Sequence, residues 1–129
     1  MITPDVRTPG ERVLVVDDSV DTARMMKVML KRAGFEVRTA HVGPEAIETA
    51  GSFLPAVVLL DLALPGMTGQ EVAAELRGDE ALAGALIVAI SGYGDQGVPP
   101  GFDHLLVKPV DQDELLRLIV GRHPGREGK

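Results

Sequence analysis

Apolar positions along this chain follow two rhythms, and the places where one gives way to the other mark the elements. Uninterrupted apolar runs lie at Arg12–Asp17 (RVLVVD), Ala56–Leu60 (AVVLL, running into Asp61) and Ala85–Ile90 (ALIVAI, running into Ser91). A shorter run, Asp103–Val107, ends at Lys108-Pro109. Runs of this length with β-branched members predict strands buried on both faces, as in a parallel sheet covered by helices. Phe35–Ala40 instead alternates Phe35 and Val37 with Glu36 and Arg38, a strand with one more exposed face. Between these runs the spacing becomes helical: Ala23, Met26, Leu30 and Ala33, stopped by Gly34; Ala46, Ile47, Ala50 and Phe53 within Pro44–Phe53; Val72, Ala73 and Leu76 within Thr68–Gly78. Asp111 is placed to N-cap a last helix carrying Leu115, Leu116, Leu118 and Ile119.

Strands alternating with helices predict an α/β fold with a doubly wound parallel sheet, and right-handed crossovers leave few topologies. The flavodoxin-like order 2-1-3-4-5 puts the first and third strands together at the switch point, where such sheets keep their chemistry. Asp17, Asp18 and Asp61 then converge on one rim, with Ser91 and Lys108 facing the same pocket. The rhythm breaks once. GYGDQGVPPGF, after Ser91, holds four glycines and two adjacent prolines, so Gly92–Gly101 predicts a loop where a fourth helix is shortened or absent.

Bulk properties narrow the classes. The 129 residues suit one domain: a loose lead-in over 1–11, a folded unit over 12–122 and a frayed tail over 123–129. With no Trp, one Tyr and three Phe, the core must be aliphatic. A net charge of −6 without a Lys/Arg run argues against nucleic-acid binding through this chain. Zero cysteines excludes disulfides and thiolate metal sites, and no apolar run has membrane-spanning length. Neither a signal core nor a span is present, so a cytoplasmic location is the default expectation.

Three carboxylates in one pocket repel one another, and a divalent cation is the natural way to keep all of them ionised. Oxygen donors without His or Cys favour Mg²⁺, which would neutralise a transferring phosphoryl group while a carboxylate oxygen attacks it. Lys108 would add a positive charge from the opposite side. Each residue alone has a plainer reading. Asp17 or Asp18 could cap the first helix, Asp61 could shape a turn before Pro65-Gly66, Ser91 could be ordinary loop chemistry and Lys108 a solvated lysine. What weighs against those readings is that all five fall on one sheet rim. His41, His104 and His123 are scattered and take no role. The basic residues Arg24, Lys27, Lys31 and Arg32 of the first helix read most simply as a solvated face, with partner docking the lesser reading.

The motifs VLVVDD, VVLLDLALPGMTG, IVAISGYG and LLVKPV resemble the receiver (CheY-like) domain of two-component response regulators and hybrid histidine kinases, over about Arg12–Arg122. The resemblance implies that Asp61 accepts a phosphoryl group from a phosphohistidine on a histidine kinase or histidine phosphotransfer protein. It implies Mg²⁺ ligation by Asp18, Asp61 and the backbone carbonyl of Ala63, with Asp17 acting through metal-bound water. Ser91 matches the hydroxyl that meets the phosphoryl oxygens and Lys108 the lysine that pairs with them; Pro109 matches a cis-proline. The resemblance also implies a signalling phosphoacceptor with slow self-catalysed dephosphorylation, not a turnover enzyme, and a monomer or weak dimer.

Two departures bear on output. The family's aromatic three residues before the lysine is Leu105 here, so the rotamer switch coupled to Ser91 is in doubt, and Tyr93 is a candidate to take over that coupling or to shield the pocket. The shortened segment after Ser91 removes much of a face that many receivers use to dimerise. Seven residues after Arg122 are too few for an output domain within these 129 residues, so the expectation is either a stand-alone protein or an excised receiver. Two other functions compete: a pseudo-receiver binding partners without phosphorylation, and an aspartate-nucleophile phosphatase. The latter wants an acid two residues after the nucleophile, where Ala63 stands.

Overall fold

A computed structural model of the chain describes residues 11–92 and 97–121. Five parallel strands form one sheet: β1 (Arg12–Val16), β2 (Glu36–Ala40), β3 (Val57–Asp61), β4 (Leu86–Ser91) and β5 (His104–Val107), in the order β2-β1-β3-β4-β5. The helices are α1 (Val20–Arg32), α2 (Gly43–Phe53), α3 (Gly69–Arg77) and α4 (Gln112–Gly121), with a short 3₁₀ turn at Glu80–Leu82. Strands and helices fall where the two rhythms place them, within a residue or two at each end.

Alternation along the strands sorts the core into two layers. Leu14, Val16, Val58, Leu60, Ile87 and Ala89 face α2 and α3. Val13, Val15, Val57, Leu59, Val88 and Ile90 face α1 and α4. Both faces being covered is why β1 and β3 read as unbroken apolar runs.

The β4–β5 connection bears on the expected missing helix. Its described residues, 92 and 97–103, hold a turn and no helix, while 93–96 lie outside the described residues. A fourth α-helix does exist, but it is α4, which follows β5. Phe102 is buried and joins the layer beneath α3, so an aromatic side chain from the connection covers part of that face. Arg77, at the end of α3, fastens the connection. Its Nε donates to the carbonyl of Gly101 at 3.0 Å, its Nη1 to those of Ala83 and Ala85, and its Nη2 meets Asp103 Oδ2 at 2.7 Å. Asp103 Oδ2 also accepts the N–H of Ile87 at 2.8 Å, tying the cluster to β4.

Arg77→Ala strands three carbonyls and one carboxylate at a half-exposed site. It is expected to lower unfolding free energy by about 1–3 kcal/mol, read as a lower urea midpoint with an unchanged m-value. A midpoint equal to wild type would show the cluster to be incidental.

Candidate functional site

The site follows from register. Val16 of β1 pairs with Leu60 of β3, so one step further each chain carries an acid, Asp17 and Asp61, at the same sheet edge. On the other side of β3, Asp61 pairs with Ile90, and Ser91 comes next. Ser91 pairs with Val107 of β5 and its carbonyl accepts the N–H of Lys108 at 2.8 Å. Four strand ends, from four separate parts of the chain, therefore meet at one rim.

Asp17, Asp18 and Asp61 each present a carboxylate oxygen within 4.8 Å of the other two. Asp17 and Asp61 are buried, whereas Asp18 is exposed at the mouth of the cluster. Local backbone holds the two buried acids. Asp17 Oδ1 accepts the N–H of Ser19 at 2.8 Å, and Asp61 Oδ1 accepts that of Ala63 at 2.9 Å. Their outer oxygens face one cation: Lys108 Nζ lies 3.0 Å from Asp61 Oδ2 and 3.4 Å from Asp17 Oδ2.

The electrostatics match this packing. Burial pushes the Asp17 carboxyl above the ordinary carboxylate value, helped by the charge of Asp61 and opposed by the Ser19 N–H and Lys108. For Lys108, burial is the largest influence and pulls its ammonium down, but hydrogen bonding and attraction to Asp61, then Asp17, leave it above its ordinary value. Both shifts describe one imbalance: among the described residues, the two buried carboxylates of Asp17 and Asp61 share the ammonium of Lys108. An oxygen-only donor set with that imbalance and an exposed third carboxylate fits Mg²⁺, which prefers carboxylate and retained water to a closed protein cage.

Ser91 is buried at the same rim. The Lys108–Pro109 peptide is cis. Leu105 is half-buried and packs against the layer under α2 and α3. Tyr93 lies outside the described residues. Of the basic residues on α1, Arg24, Lys31 and Arg32 are exposed and Lys27 is half-buried. His104 is exposed, and His123 lies outside the described residues.

Three features escaped the reading of the chain. The cap of α1 is neither Asp17 nor Asp18 but Ser19, whose hydroxyl accepts the N–H of Thr22 at 3.2 Å. Serine is among the favoured N-cap residues, so that signal was present in the sequence. His41 is not detached from the site: its Nδ1 sits 3.0 Å from the carbonyl oxygen of Asp17. Nothing in spacing could have announced that contact, which depends on β2 lying beside β1. Finally, α1 exposes Met25 and Val28, and Met25 borders an open groove of about 460 Å³ shared with Lys108, Pro109 and Val110.

Among the described residues, no helix is long and apolar enough to cross a membrane. The family described as response regulator receiver domain matches residues 13–120. The chain is 39% identical over 113 residues to the response regulator PleD of Caulobacter vibrioides, covering 84% of this chain and 25% of PleD. It spans between a quarter and about half of the curated relatives it matches first. Among solved structures, TrrA of Thermotoga maritima, a response regulator in complex with Mg²⁺-BeF, superposes with a TM-score of 0.76 at 32% identity, covering 84% of this chain and 96% of TrrA. The receiver domain of the sensor histidine kinase PA1611 of Pseudomonas aeruginosa, with a magnesium ion coordinated in its active-site cleft, superposes at 0.80 with 27% identity, covering 88% and 96%. With five strands in this order, three acids gathered at the switch point and a family match running from β1 into α4, the chain belongs to the response regulator receiver domains of two-component signalling.

Proposed function

We propose that this domain accepts a phosphoryl group on Asp61 from a phosphohistidine of a histidine kinase or phosphotransfer protein, and that the acyl phosphate changes which partners it binds. The observation that carries this reading is the meeting of Asp17, Asp18 and Asp61 oxygens within 4.8 Å, with Lys108 bridging Asp17 and Asp61. In the transfer, a carboxylate oxygen of Asp61 attacks phosphorus, the O–P bond forms, the N–P bond breaks, and the electron pair returns to the histidine nitrogen. Asp18, Asp61 and the Ala63 carbonyl would hold Mg²⁺, with Asp17 acting through its water. When bound, such an ion would supply positive charge to the transferring phosphoryl group. Lys108 would supply the same from the other side, and the Ser91 hydroxyl would meet a phosphoryl oxygen. The Ala63 N–H holds the Asp61 carboxylate in position, so beyond the nucleophile itself this chain contributes positioning and charge. Two solved receivers carry magnesium, one with Mg²⁺-BeF and one in its active-site cleft, which supports the same ion here.

The partner's histidine would have to reach Asp61 itself, while the groove lined by Met25, Lys108 and Pro109 opens beside the lysine of the site, where another part of the partner's surface would rest. Phosphorylation is stoichiometric in this reading, with slow hydrolysis and no turnover of unrelated esters. The domain works as a cytoplasmic module, without nucleic acid or membrane, as a monomer or weak dimer.

Incubation with acetyl phosphate and Mg²⁺ is expected to add one phosphoryl group to the wild type and none to Asp61→Asn, read by intact-protein mass. An unmodified wild type would leave a phosphorylation-independent interaction module. Multiple turnover of an unrelated phosphomonoester would make it a phosphatase.

A further inference from the structure

Building on that reading, we propose that Gly69 is a positioning residue for the nucleophile: the absence of a side chain lets the first turn of α3 close onto the backbone of Asp61 and Leu62. A Cβ at position 69 would stand 2.7 Å from the carbonyl oxygen of Asp61, 2.8 Å from Leu62 Cα and 3.2 Å from Leu62 Cδ2. Carbon atoms in contact settle at about 3.5–4 Å. The two closest atoms are backbone, so no rotamer change relieves the overlap. Gly69 is itself buried, and its N–H donates to the carbonyl of Leu62 at 3.4 Å.

Which side yields decides the consequence. The start of α3 is locked by a reciprocal cap: Thr68 Oγ1 accepts the Glu71 N–H at 3.1 Å, and Glu71 Oε1 accepts the Thr68 N–H at 2.9 Å. Val72, Ala73 and Leu76 bury the inner face of the helix completely or nearly so. Strand β3 is held in register by β1 and β4. Asp61 pairs with Ile90 and the Leu62 N–H donates to the Ile90 carbonyl at 3.0 Å, so the strain passes into the turn from Leu62 to Ala63, which carries the N–H that holds the nucleophile.

Two other glycines show that this requirement is one of space. Gly66, in the same loop, has a φ of +76° with nothing within 4 Å of a Cβ, so its need is conformational. Gly51, in α2, would meet nothing within 4 Å and is an internal control.

The test compares Gly69→Ala with Gly51→Ala and with Arg77→Ala, which weakens the fold far from the site. Three quantities are measured at a temperature where each variant is folded: the urea midpoint, Mg²⁺ affinity by calorimetry, and the rate of phosphorylation by acetyl phosphate at saturating Mg²⁺. Gly69→Ala is expected to slow phosphorylation about tenfold to a hundredfold and to weaken Mg²⁺ binding, with both controls within about twofold of wild type. A Gly69→Ala protein with a lowered midpoint but wild-type rate and Mg²⁺ affinity would reduce Gly69 to a packing residue and overturn the proposal. Equal losses in Arg77→Ala would do the same. Should Gly69→Ala not fold, the wild type decides: on titration with Mg²⁺ the Gly69 amide resonance is expected to shift more than those of Gly51 and Gly78, and a stationary Gly69 overturns the proposal. A wild type that binds Mg²⁺ but takes no phosphoryl group defeats the proposed function instead, and the Mg²⁺ measurements still judge Gly69.

Discussion

Replacing Lys108 by methionine is expected to slow phosphorylation of Asp61 by about 10²–10³-fold, the loss typical of one preorganised charge stabiliser, while Mg²⁺ binding becomes tighter. The opposite signs are the informative part. Lys108 Nζ sits 3.0 Å from Asp61 Oδ2 and 3.4 Å from Asp17 Oδ2, so it neutralises the same oxygens that a cation would. Methionine keeps most of the stem and removes only the charge, leaving the acids more attractive to Mg²⁺ and the transferring group without its second positive partner. Without metal, the variant should also be less stable, because two nearly inaccessible carboxylates lose their counter-ion. The Lys108 side chain is 37% exposed, which screens the interaction and keeps the expected loss at about 1–3 kcal/mol rather than the full cost of a buried pair. Calorimetric Mg²⁺ titration and timed labelling with acetyl phosphate read the two effects separately. Labelling at the wild-type rate would remove Lys108 from the mechanism.

Asp17→Asn should behave in the reverse sense, stabilising the metal-free protein at neutral pH by about 0.5–2 kcal/mol, the usual gain from relaxing a functional site, while weakening Mg²⁺ binding. Asparagine still accepts the Ser19 N–H through Oδ1 but brings no buried charge. The pH dependence follows from linkage. The folded-state carboxyl of Asp17 is raised above its ordinary 3.8, chiefly by burial. Its contribution to stability is therefore fully present below pH 3.8 and is lost as pH rises through the raised folded value. The Lys108 ammonium is raised above 10.5, so its contribution is present below that pH and is lost only as pH climbs through its own higher folded value. At neutral pH the wild type thus carries the penalty of an ionised Asp17, and Mg²⁺ relieves it. A hundredfold excess of Mg²⁺ over its Kd is expected to add about 2.7 kcal/mol, fading as pH falls through the carboxylate range where protons compete for the same oxygens. Thermal melts of wild type and Asp17→Asn with and without Mg²⁺ measure all of this. A metal-free Asp17→Asn less stable than wild type would contradict the burial argument.

The residues behind both effects are recognisable in the sequence alone. Asp17, Asp61, Ser91 and Lys108 each stand where an apolar run stops, and in a parallel sheet the ends of such runs share one edge. Sequence legibility failed in a different kind of place. Asp17 and Asp18 are plausible caps for α1 by residue type, yet Ser19 takes that role. The connection after β4 reads as a break in the rhythm and its described residues hold no helix, but burial of Phe102 and the grip of Arg77 on Gly101 and Asp103 have no local signature. Those partners lie 24 and 26 residues apart with no period linking them. Gly69 is similar: a glycine after Thr68 looks like ordinary helix-start chemistry until the end of β3 is found pressed against it.

Secondary structure and the chemical character of the rim were present in the linear pattern, because periodicity and burial on two faces are properties of consecutive residues; strand order was only narrowed, by the handedness of crossovers. The distances that make the rim reactive were not in that pattern. Whether Lys108 reaches two carboxylates, whether His41 touches the Asp17 carbonyl, and whether position 69 tolerates a side chain depend on how separate segments pack. Those outcomes are settled at the scale of an ångström by close packing, to which sequence spacing is blind.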